Sequence, residues 1–283
     1  MIKVQKTGFY STIQDFGRHG YQEYGVPYSG VMDAYSASLA NVLLGNKAQS
    51  AVMEITMMGP VLEFQCSTTI CISGADMTPK LNDLPLKLNK ATTVKSGDLL
   101  SFGRLNYGFR TYLAVLGGFK TEKVMGSRSM YQGITKHTVI TKNDELLVDT
   151  SVKGFVKQLA TIKIDKFHLN SNIIEVLKGP EFEMLSKSKQ ELLFSKPFTI
   201  SKDNNRMAYQ LTEILPNNLE PIITSSVLPG AVQLTPSGKL IVLMRDCQTT
   251  GGYPRVLQLK NMAINILSQK FTGNNIRFKL IEF

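Results

Sequence analysis

Short apolar segments that end at Gly, Pro, Asn or Asp constrain this fold more than any other feature of the sequence. Examples are the segments Val61–Phe64, 69–73 and 112–116, which have the length of strands rather than of helices. Turn-forming residues at such short intervals predict strands that are joined by turns. The sequence therefore predicts a mainly β protein.

A few helices are predicted from apolar residues that lie three and four positions apart. The clearest helix spans about residues 33–44, with Asp33 as its N-cap and Gly45 as its C-terminal stop. Two weaker helices are predicted near residues 181–194 and 260–270.

The length of 283 residues exceeds the usual size of one hydrophobic core. We therefore expect two packed lobes, although no linker rich in Pro, Gly or Ser separates them. The polar residues 168–172 are the best candidate for the junction. This junction predicts an N-terminal lobe of residues 1–167 and a C-terminal lobe of residues 168–283.

The amino-terminal sequence lacks the apolar stretch of a signal peptide, and no segment approaches the roughly 18 apolar residues that cross a bilayer. We therefore expect a cytoplasmic protein without a membrane partner. The net charge of +10 arises after residue 100, where Lys153, Lys157, Lys163 and Lys166 are scattered and form no run. This pattern lacks the dense patch of a nucleic-acid groove. We predict no nucleic-acid partner, and a minority of these charges suits an anion such as ATP.

The three cysteines and three histidines lack the spacing of a disulfide framework or of a zinc site. We therefore predict no metal held by the protein, reduced thiols, and histidines in structural or surface roles. The residues concerned are Cys66, Cys71, Cys247, His19, His137 and His168.

Glycine and polar side chains are concentrated in a few segments, the first of which is residues 12–33. Its four glycines allow a ligand to approach the backbone, with Asp15 and Arg18 facing that ligand. An Asp–Arg pair that holds a turn explains the same residues equally well.

The second and third segments each place an arginine among small residues. In residues 124–131, Arg128 lies between two serines, and guanidinium is a planar donor fork for phosphate or carboxylate. In residues 203–211, Arg206 follows small polar residues and is positioned to reach inward. A surface loop and a surface ion pair are the structural alternatives.

The fourth segment, residues 225–259, is the most informative. An apolar strand at 240–244 leads directly into the loop 246–253, which offers a carboxylate, an amide, hydroxyls and backbone donors. A Gly-Gly hairpin would explain the glycines but not the other polar residues. No G-x-x-x-x-G-K-[ST], G-x-S-x-G or H-E-x-x-H motif occurs, so an unconventional site or another chain must hold any nucleotide.

In this order the segments resemble the family of the 5-oxoprolinase C subunit, also called allophanate hydrolase subunit 2 or biotin-dependent carboxyltransferase. The resemblance covers nearly the whole chain and rests on TIQDFGRHGY, GVPYSGVMD, LANVLLGN, EITMMGP, ISGAD, YLAVLGGF, GSRS, NRMAYQL, LPGAVQLTPSG and QTTGGYP. It implies two packed cyclophilin-like β-barrel lobes and a tight partnership with a protein like the 5-oxoprolinase B subunit. It also implies that, together with a protein like the A subunit, the complex uses ATP to open 5-oxoproline to L-glutamate.

The sequence departs from the family pattern at four positions. His19 and Ala208 stand where Pro and Gly are usual, and Gln210 and Cys247 stand where Arg is frequent. The last two changes each remove a cation, so Arg206, Arg245 or a partner residue would have to replace it.

A lactam is an unreactive amide, and ATP can activate its carbonyl oxygen without a protein nucleophile. We expect ATP with Mg²⁺, held largely by phosphates or by the partner protein, and a site shared by the 14–18 turn and the 246–253 loop. The catalytic candidates are Asp246, Arg128 and Arg206. The candidates for binding substrate or nucleotide are Gln14, Asp15, Arg18, Ser29, Gly30, Ser127, Gln233, Gln248, Thr249, Thr250, Gly251, Gly252 and Tyr253.

Two other functions fit the same sequence. An allophanate-type or other amide hydrolase subunit would use the same site on a different substrate. A non-catalytic protein would use the loops as a docking face that regulates a relative of the B subunit, as an antagonist of a kinase inhibitor does.

Overall fold

A computed structural model describes residues 1–150 and 167–282, which leaves Lys153, Lys157, Lys163 and Lys166 outside the described residues. The described part contains twenty strands and four α-helices, which confirms the prediction of a mainly β chain with few helices. Among these helices none combines the length and the hydropathy that a membrane crossing requires. The elements are β1 Ile2–Lys6, β2 Tyr10–Gln14, α1 Ala34–Val42, β3 Val52–Thr56, β4 Val61–Phe64, β5 Thr68–Asp76, β6 Lys80–Leu81, β7 Leu84–Pro85, β8 Thr92–Val94, β9 Leu99–Ser101, β10 Tyr107–Val115, β11 Glu145–Leu146, α2 Phe167–Asn170, β12 Ile173–Lys178, α3 Lys187–Ser195, β13 Phe198–Asn204, β14 Ala208–Ile214, β15 Ser225–Ser226, β16 Ala231–Leu234, β17 Lys239–Leu243, β18 Thr250–Gly251, β19 Arg255–Leu259, α4 Asn261–Ser268 and β20 Asn275–Leu280.

The chain forms two compact units. The first consists of Met1–Arg18 and Ser29–Leu169, and the second of His19–Tyr28 and Asn170–Phe283. The lobes predicted from the sequence differ from these units by the segment His19–Tyr28, which the second unit includes, and by two residues at the junction.

Two antiparallel sheets build the first unit, with strand orders β11-β1-β4-β9-β6-β7 and β2-β3-β10-β5-β8. Successive side chains of a strand point to opposite faces. On one face of β10, Leu113 and Val115 join a large apolar cluster with Ile2 and Val4 of β1. On the other face Tyr112 packs, with Ala114, against α1. The five-stranded sheet is therefore buried on both faces.

Helix α1 begins as predicted, because the Asp33 carboxylate accepts a hydrogen bond from the Ser36 backbone N–H at 3.0 Å. The helix ends at Val42, and Gly45 then takes a left-handed φ of 74°. Helix α4 confirms the prediction near residues 260–270.

The prediction of one continuous helix near residues 181–194 was wrong, because the structure breaks this segment at Leu185. A 3₁₀ turn at Phe182–Met184 is followed by Leu185 in an extended conformation, and α3 begins only after Ser186. Leu185 is buried, and its carbonyl accepts a hydrogen bond from Gln190 Nε2 at 3.0 Å. Side-chain burial and this bond hold the break in the helix.

A buried polar network fixes the start of α1. Glu54 Oε2 accepts from the Met32 backbone N–H at 2.7 Å and from the Tyr112 hydroxyl at 2.9 Å. The Asp33 carboxylate accepts from Ser36 Oγ at 2.6 Å and lies 3.2 Å from His168 Nε2. Burial alone raises the pKa of Asp33, but hydrogen bonds and charge from His168, with hydrogen bonds from Ser36, outweigh it and hold that pKa below its ordinary value.

The second unit contains a closed barrel of seven strands in the order β12-β19-β16-β17-β14-β13-β20. Parallel pairing of β12 with β20 closes the barrel, which confirms the barrel that the resemblance implied for this part of the chain. Val232 and Leu234 of β16 are fully buried, whereas the alternate position Ala231 clusters with Val227. Strands β15 and β18 pair as a two-stranded ribbon on this outer face.

We expect Gly74→Ala to destabilise the first unit by roughly 2–5 kcal/mol, the sum of backbone strain and overpacking. Gly74 has a φ of 101°, and a Cβ atom placed on it would lie 2.6 Å from the carbonyl oxygen of Arg110. The matched control is Gly97→Ala, because Gly97 has a φ of 91° but no atom within 4 Å of the added Cβ. Denaturant unfolding of both variants should show the larger loss at Gly74, and equal losses would contradict the steric argument.

The Asp33 carboxylate should make stability depend on acid pH. Because its pKa is lowered in the folded state, its contribution is fully present above the unfolded pKa of about 3.9 and is lost as pH falls through the lower folded pKa. The difference in unfolding free energy between wild type and Asp33→Asn should therefore shrink below about pH 4. A difference that is constant from pH 7 to pH 3 would rule out this linkage.

Candidate functional site

The carboxylate of Asp15 joins two of the segments that the sequence singled out. Its Oδ1 accepts from Ser127 Oγ at 2.5 Å, Ser129 Oγ at 2.8 Å and the Gly17 N–H at 2.9 Å. Its Oδ2 accepts from the Arg128 N–H at 2.7 Å. The turn 14–18 and the GSRS segment are therefore one structure, although 112 residues separate Asp15 from Ser127.

The segment that contains Ser29 and Gly30 lies directly on this turn. A Cβ atom on Gly30, which has a φ of 89°, would lie 2.9 Å from the backbone nitrogen of Gly17. Arg18 is buried and donates from its guanidinium to the Ser129 carbonyl. The structure thus brings together all the candidates of the first unit, which are Gln14, Asp15, Arg18, Ser29, Gly30, Ser127 and Arg128.

The bonds within this cluster favour the interpretation that Asp15 holds the turn, since described protein donors occupy its carboxylate. Two other polar atoms have hydrogen-bonding capacity that the described part of the protein does not use. Gln14 Oε1 and Ser29 Oγ are buried and have no hydrogen-bond partner among residues 1–150 and 167–282. Their role in binding remains a prediction.

A cavity of about 310 Å³ lies beside Arg128 in the first unit. Its wall contains the cations Lys120, Arg128 and Lys136, and the Arg128 guanidinium also donates to the Thr121 carbonyl. Three carboxylates line the same cavity, those of Glu122, Asp144 and Glu145. The sequence indicated only Arg128, because these residues come from separate loops and share no motif.

In the second unit, Arg206 and Asp246 form a buried bidentate ion pair. Arg206 Nε and NH2 donate to the two carboxylate oxygens of Asp246 at 2.8 and 3.0 Å. The Asp246 N–H also donates to the Arg206 carbonyl at 2.9 Å. These two catalytic candidates therefore neutralise each other, which gives each a structural role, and their catalytic role remains a prediction.

The loop 246–253 contributes one strand of the ribbon, in which Thr250 and Gly251 pair with Ser226 and Ser225. The candidate Gln233 lies beneath it, since a Cβ atom on Gly251 would lie 2.5 Å from Gln233 Nε2. Gln233 is buried, whereas Gln248 and Tyr253 are exposed. Sequence and structure thus agree that Gln233 and this loop belong to one region of the second unit.

Gln233 belongs to a row of side chains on the outer face of the barrel, and the sequence indicated only Gln233 among them as a site candidate. Strand register aligns Gln210 with Ile241, Ile241 with Gln233, and Gln233 with Arg255. Arg255 donates to the two carboxylate oxygens of Glu181 at 2.8 and 3.0 Å, and these bonds lower the pKa of Glu181 and raise that of Arg255. The sequence indicated Gln233 as a candidate and Gln210 as a departure from the family pattern, but no local pattern links Arg255 to a residue 74 positions away.

The contacts of the cysteines and histidines indicate structural rather than reactive roles. Burial, and secondarily the charge of Asp246, raises the pKa of the Cys247 thiol to about 12, so it stays protonated at neutral pH. All three cysteines are free thiols, as predicted. His19 packs near the Tyr28 ring, and His137 lines the cavity. No group of three or more His, Cys, Asp or Glu within the described ranges could hold a metal ion.

The predicted joint site of the 14–18 turn and the 246–253 loop stays a prediction. The turn belongs to the first unit and the loop to the second, and each is built within its own unit.

Arg206→Met should lower the unfolding free energy by roughly 3–5 kcal/mol, because it leaves the Asp246 carboxylate buried without its partner. The double variant Arg206→Met/Asp246→Leu should recover most of this loss. Lys178→Met, which removes an exposed ion pair with Glu183, is the control and should change stability little. If Asp246→Asn kept full stability and lost only turnover, a catalytic role would replace the structural one.

Comparison with known proteins places this architecture in a family. The carboxyltransferase domain family, subdomain A and B, matches residues 24–280. The chain is 32% identical to the 5-oxoprolinase C subunit of Escherichia coli strain K12 over 284 residues, which cover 98% of this chain and 90% of the relative. It is also 45% identical to urea amidolyase of Lachancea kluyveri over 131 residues, 46% of this chain and 7% of that protein.

A solved structure has the same fold. The urea carboxylase of Kluyveromyces lactis superposes with a TM-score of 0.89 and 26% sequence identity. The superposition covers 99% of this chain and 27% of the urea carboxylase chain, so this chain corresponds in length to about a quarter of that protein. The domain match and the extent of these similarities show that this chain belongs to the carboxyltransferase domain family, subdomain A and B.

Proposed function

We propose that this chain is one component of a cytoplasmic, ATP-dependent 5-oxoprolinase that opens 5-oxoproline to L-glutamate, acting with proteins like the A and B subunits of that enzyme. The observation that carries the proposal is the similarity to the 5-oxoprolinase C subunit of Escherichia coli over 98% of this chain. The similarity includes both units, so it covers the cavity beside Arg128 and the ribbon region alike.

The cavity in the first unit suits the polyphosphate of a nucleotide. Its volume of about 310 Å³ lies at the lower end of the range for small-molecule sites, roughly 300–1,000 Å³. Lys120, Arg128 and Lys136 would face phosphate oxygens. Thr121 also lines the cavity, and its buried hydroxyl has no hydrogen-bond partner in the described part of the chain.

A magnesium ion that accompanies the phosphates would be held largely by them or by the partner protein, with at most one or two carboxylates of this cavity. Mg²⁺ in nucleotide sites is bound by one or two carboxylates together with phosphate oxygens and waters. Glu122, Asp144 and Glu145 supply carboxylates beside the cations. When bound, ATP supplies the phosphoryl group that makes an amide carbonyl reactive towards water.

The residues of this chain support binding and positioning rather than nucleophilic attack. Cys247 is held protonated, and the buried Arg206–Asp246 pair is neutral as a unit. Phosphoryl transfer requires positioned cations and donors more than covalent chemistry by the protein. This chain would therefore need its partner proteins to complete the hydrolytic machinery.

A second candidate is a component of an enzyme that acts on an allophanate-type or other amide. The 45% identity to urea amidolyase of Lachancea kluyveri over 131 residues favours it. The two candidates share the activation chemistry and differ in the amide, so substrate preference separates them.

We expect this chain alone to show negligible 5-oxoproline-dependent ATP hydrolysis, and its mixture with the A-like and B-like partner proteins to release ADP and L-glutamate. The measurement is coupled ADP release with 5-oxoproline, allophanate or no amide. Turnover with allophanate alone would favour the second candidate. Full activity of the isolated chain would refute the obligate partnership, and complex formation without turnover on either amide would indicate a regulatory protein.

In the reconstituted complex, Arg128→Ala should lower kcat/KM for ATP roughly tenfold or more, the effect of losing one charged hydrogen bond. Arg104→Ala is the matched control, because Arg104 is an exposed arginine of the same unit that does not line the cavity. Melting temperatures of both variants separate loss of binding from loss of fold. Equal kcat/KM for both variants would remove Arg128 from the nucleotide site.

A further inference from the structure

Gln233 has a buried donor that the protein itself does not use. Its exposed fraction is 2%, and its Nε2 group has no hydrogen-bond partner among the residues that the structure describes. An unsatisfied buried N–H lowers stability, and folded proteins retain few of them. Such a group calls for an explanation other than stability.

The donor faces the ribbon, but no acceptor in the ribbon bonds to it. A Cβ atom on Gly251 would lie 2.5 Å from Gln233 Nε2 and 3.3 Å from Val227 Cγ1. Any residue larger than glycine at position 251 would therefore clash sterically with the Gln233 amide. The backbone of the ribbon covers the amide without accepting its hydrogen bond.

The ribbon is short, and one buried side chain, Val227, packs in the apolar cluster of this face. Its strands β15 and β18 have two residues each, and Ser226 and Thr250 are exposed. The ribbon is held by single backbone bonds such as Val227 N–H to the Thr249 carbonyl at 3.0 Å, and by Arg255 NH1 to the Ser226 carbonyl at 2.9 Å. Segments with few buried contacts and exposed backbone bonds open locally at low free energy. Local opening of the ribbon, in which Val227 leaves its apolar cluster, would uncover Gln233 while the barrel stays folded.

The charge around the donor selects the acceptor. The next residue of the row, Arg255, already pairs with Glu181 through two hydrogen bonds, at 2.8 and 3.0 Å, which neutralises its charge. Gln233 is a neutral donor, and a carboxylate brought to it would lose hydration without an available counter-charge in this row. A neutral carbonyl oxygen fits better.

We propose that Gln233 Nε2 donates to the carbonyl oxygen of a small amide, which takes the space over Gln233 when the ribbon of residues 225–227 and 249–252 opens. The identity of this amide as a lactam rests on the proposed function, whereas the role of Gln233 as a binding donor does not.

The first test separates a binding donor from a structural one through stability. Gln233→Met removes the unsatisfied donor at similar volume, so its Tm should equal or exceed that of wild type. The control is Gln190→Met in the same unit. Gln190 is also buried, but its Nε2 donates to the Leu185 carbonyl at 3.0 Å and to Glu183 Oε2 at 3.2 Å, so its loss should lower Tm. Equal destabilisation by the two variants would overturn the proposal.

The second test measures binding in the complex with the partner proteins, by calorimetry with 5-oxoproline and with pyrrolidin-2-one, a lactam without a carboxylate. Wild type should bind both, and Gln233→Met should bind each about tenfold more weakly or worse, since tenfold corresponds to about 1.4 kcal/mol. Unchanged affinity in Gln233→Met would overturn the role of Gln233 as a binding donor, and failure of wild type to bind both lactams would overturn the lactam as its ligand.

The third test follows ribbon opening by hydrogen exchange. The Val227 amide should exchange faster than the Val232 amide within the barrel, and equal protection would deny a ligand access to Gln233. These outcomes remain distinct from the proposed function. Binding of pyrrolidin-2-one that depends on Gln233, without any 5-oxoproline turnover, would support the binding donor and refute the 5-oxoprolinase. Turnover with unchanged affinity in Gln233→Met would do the reverse.

Discussion

Burial of both faces of the sheet β2-β3-β10-β5-β8 is the constraint on which the first unit depends. Water cannot reach polar groups on such a sheet, so they must bond to one another. Glu54 and Tyr112 meet this requirement by bonding the backbone at Met32 and Asp33. The same bonds that satisfy the sheet thereby fix where α1 begins and how the chain enters it.

The entry to α1 in turn places the candidate site of the first unit. The residues just before it, 29–31, lie on the turn that contains Asp15, and the Val31 N–H donates to the Asp15 carbonyl at 2.8 Å. Asp15 then holds the GSRS segment through its carboxylate. Arg128 belongs to this segment and lines the cavity. Its position therefore depends on a series of buried hydrogen bonds that begins in the sheet. A rigid framework of this kind suits the positioning of a charged ligand.

Local features of the sequence predicted the local features of the fold. Turn residues predicted the position of β4, and Asp33 predicted the start of α1. Both signals lie within a few residues of the element that they predict. The break at Leu185 was missed because its cause is tertiary burial. Side-chain partners were missed for a related reason: Arg206 and Asp246 are 40 residues apart, and Ser36 and His168 are 132 apart. Pairing across such distances leaves no periodic pattern in a single sequence.

Residue type alone did not indicate which charged side chains pair within the fold. The charged residues Arg206 and Asp246 were predicted to be catalytic, and in the structure they form an ion pair. A buried charge loses so much hydration that it needs a partner within the fold. A neutral amide loses less hydration, so Gln233 can stay buried and unpaired at a cost that the rest of the barrel tolerates. Hydrogen-bonding capacity that folding leaves unused is therefore a second criterion for choosing candidate residues, beside formal charge. Among the candidates that the sequence indicated, Gln14, Ser29 and Gln233 retain hydrogen-bonding atoms that the described part of the chain does not use, whereas Arg206 and Asp246 bond to each other.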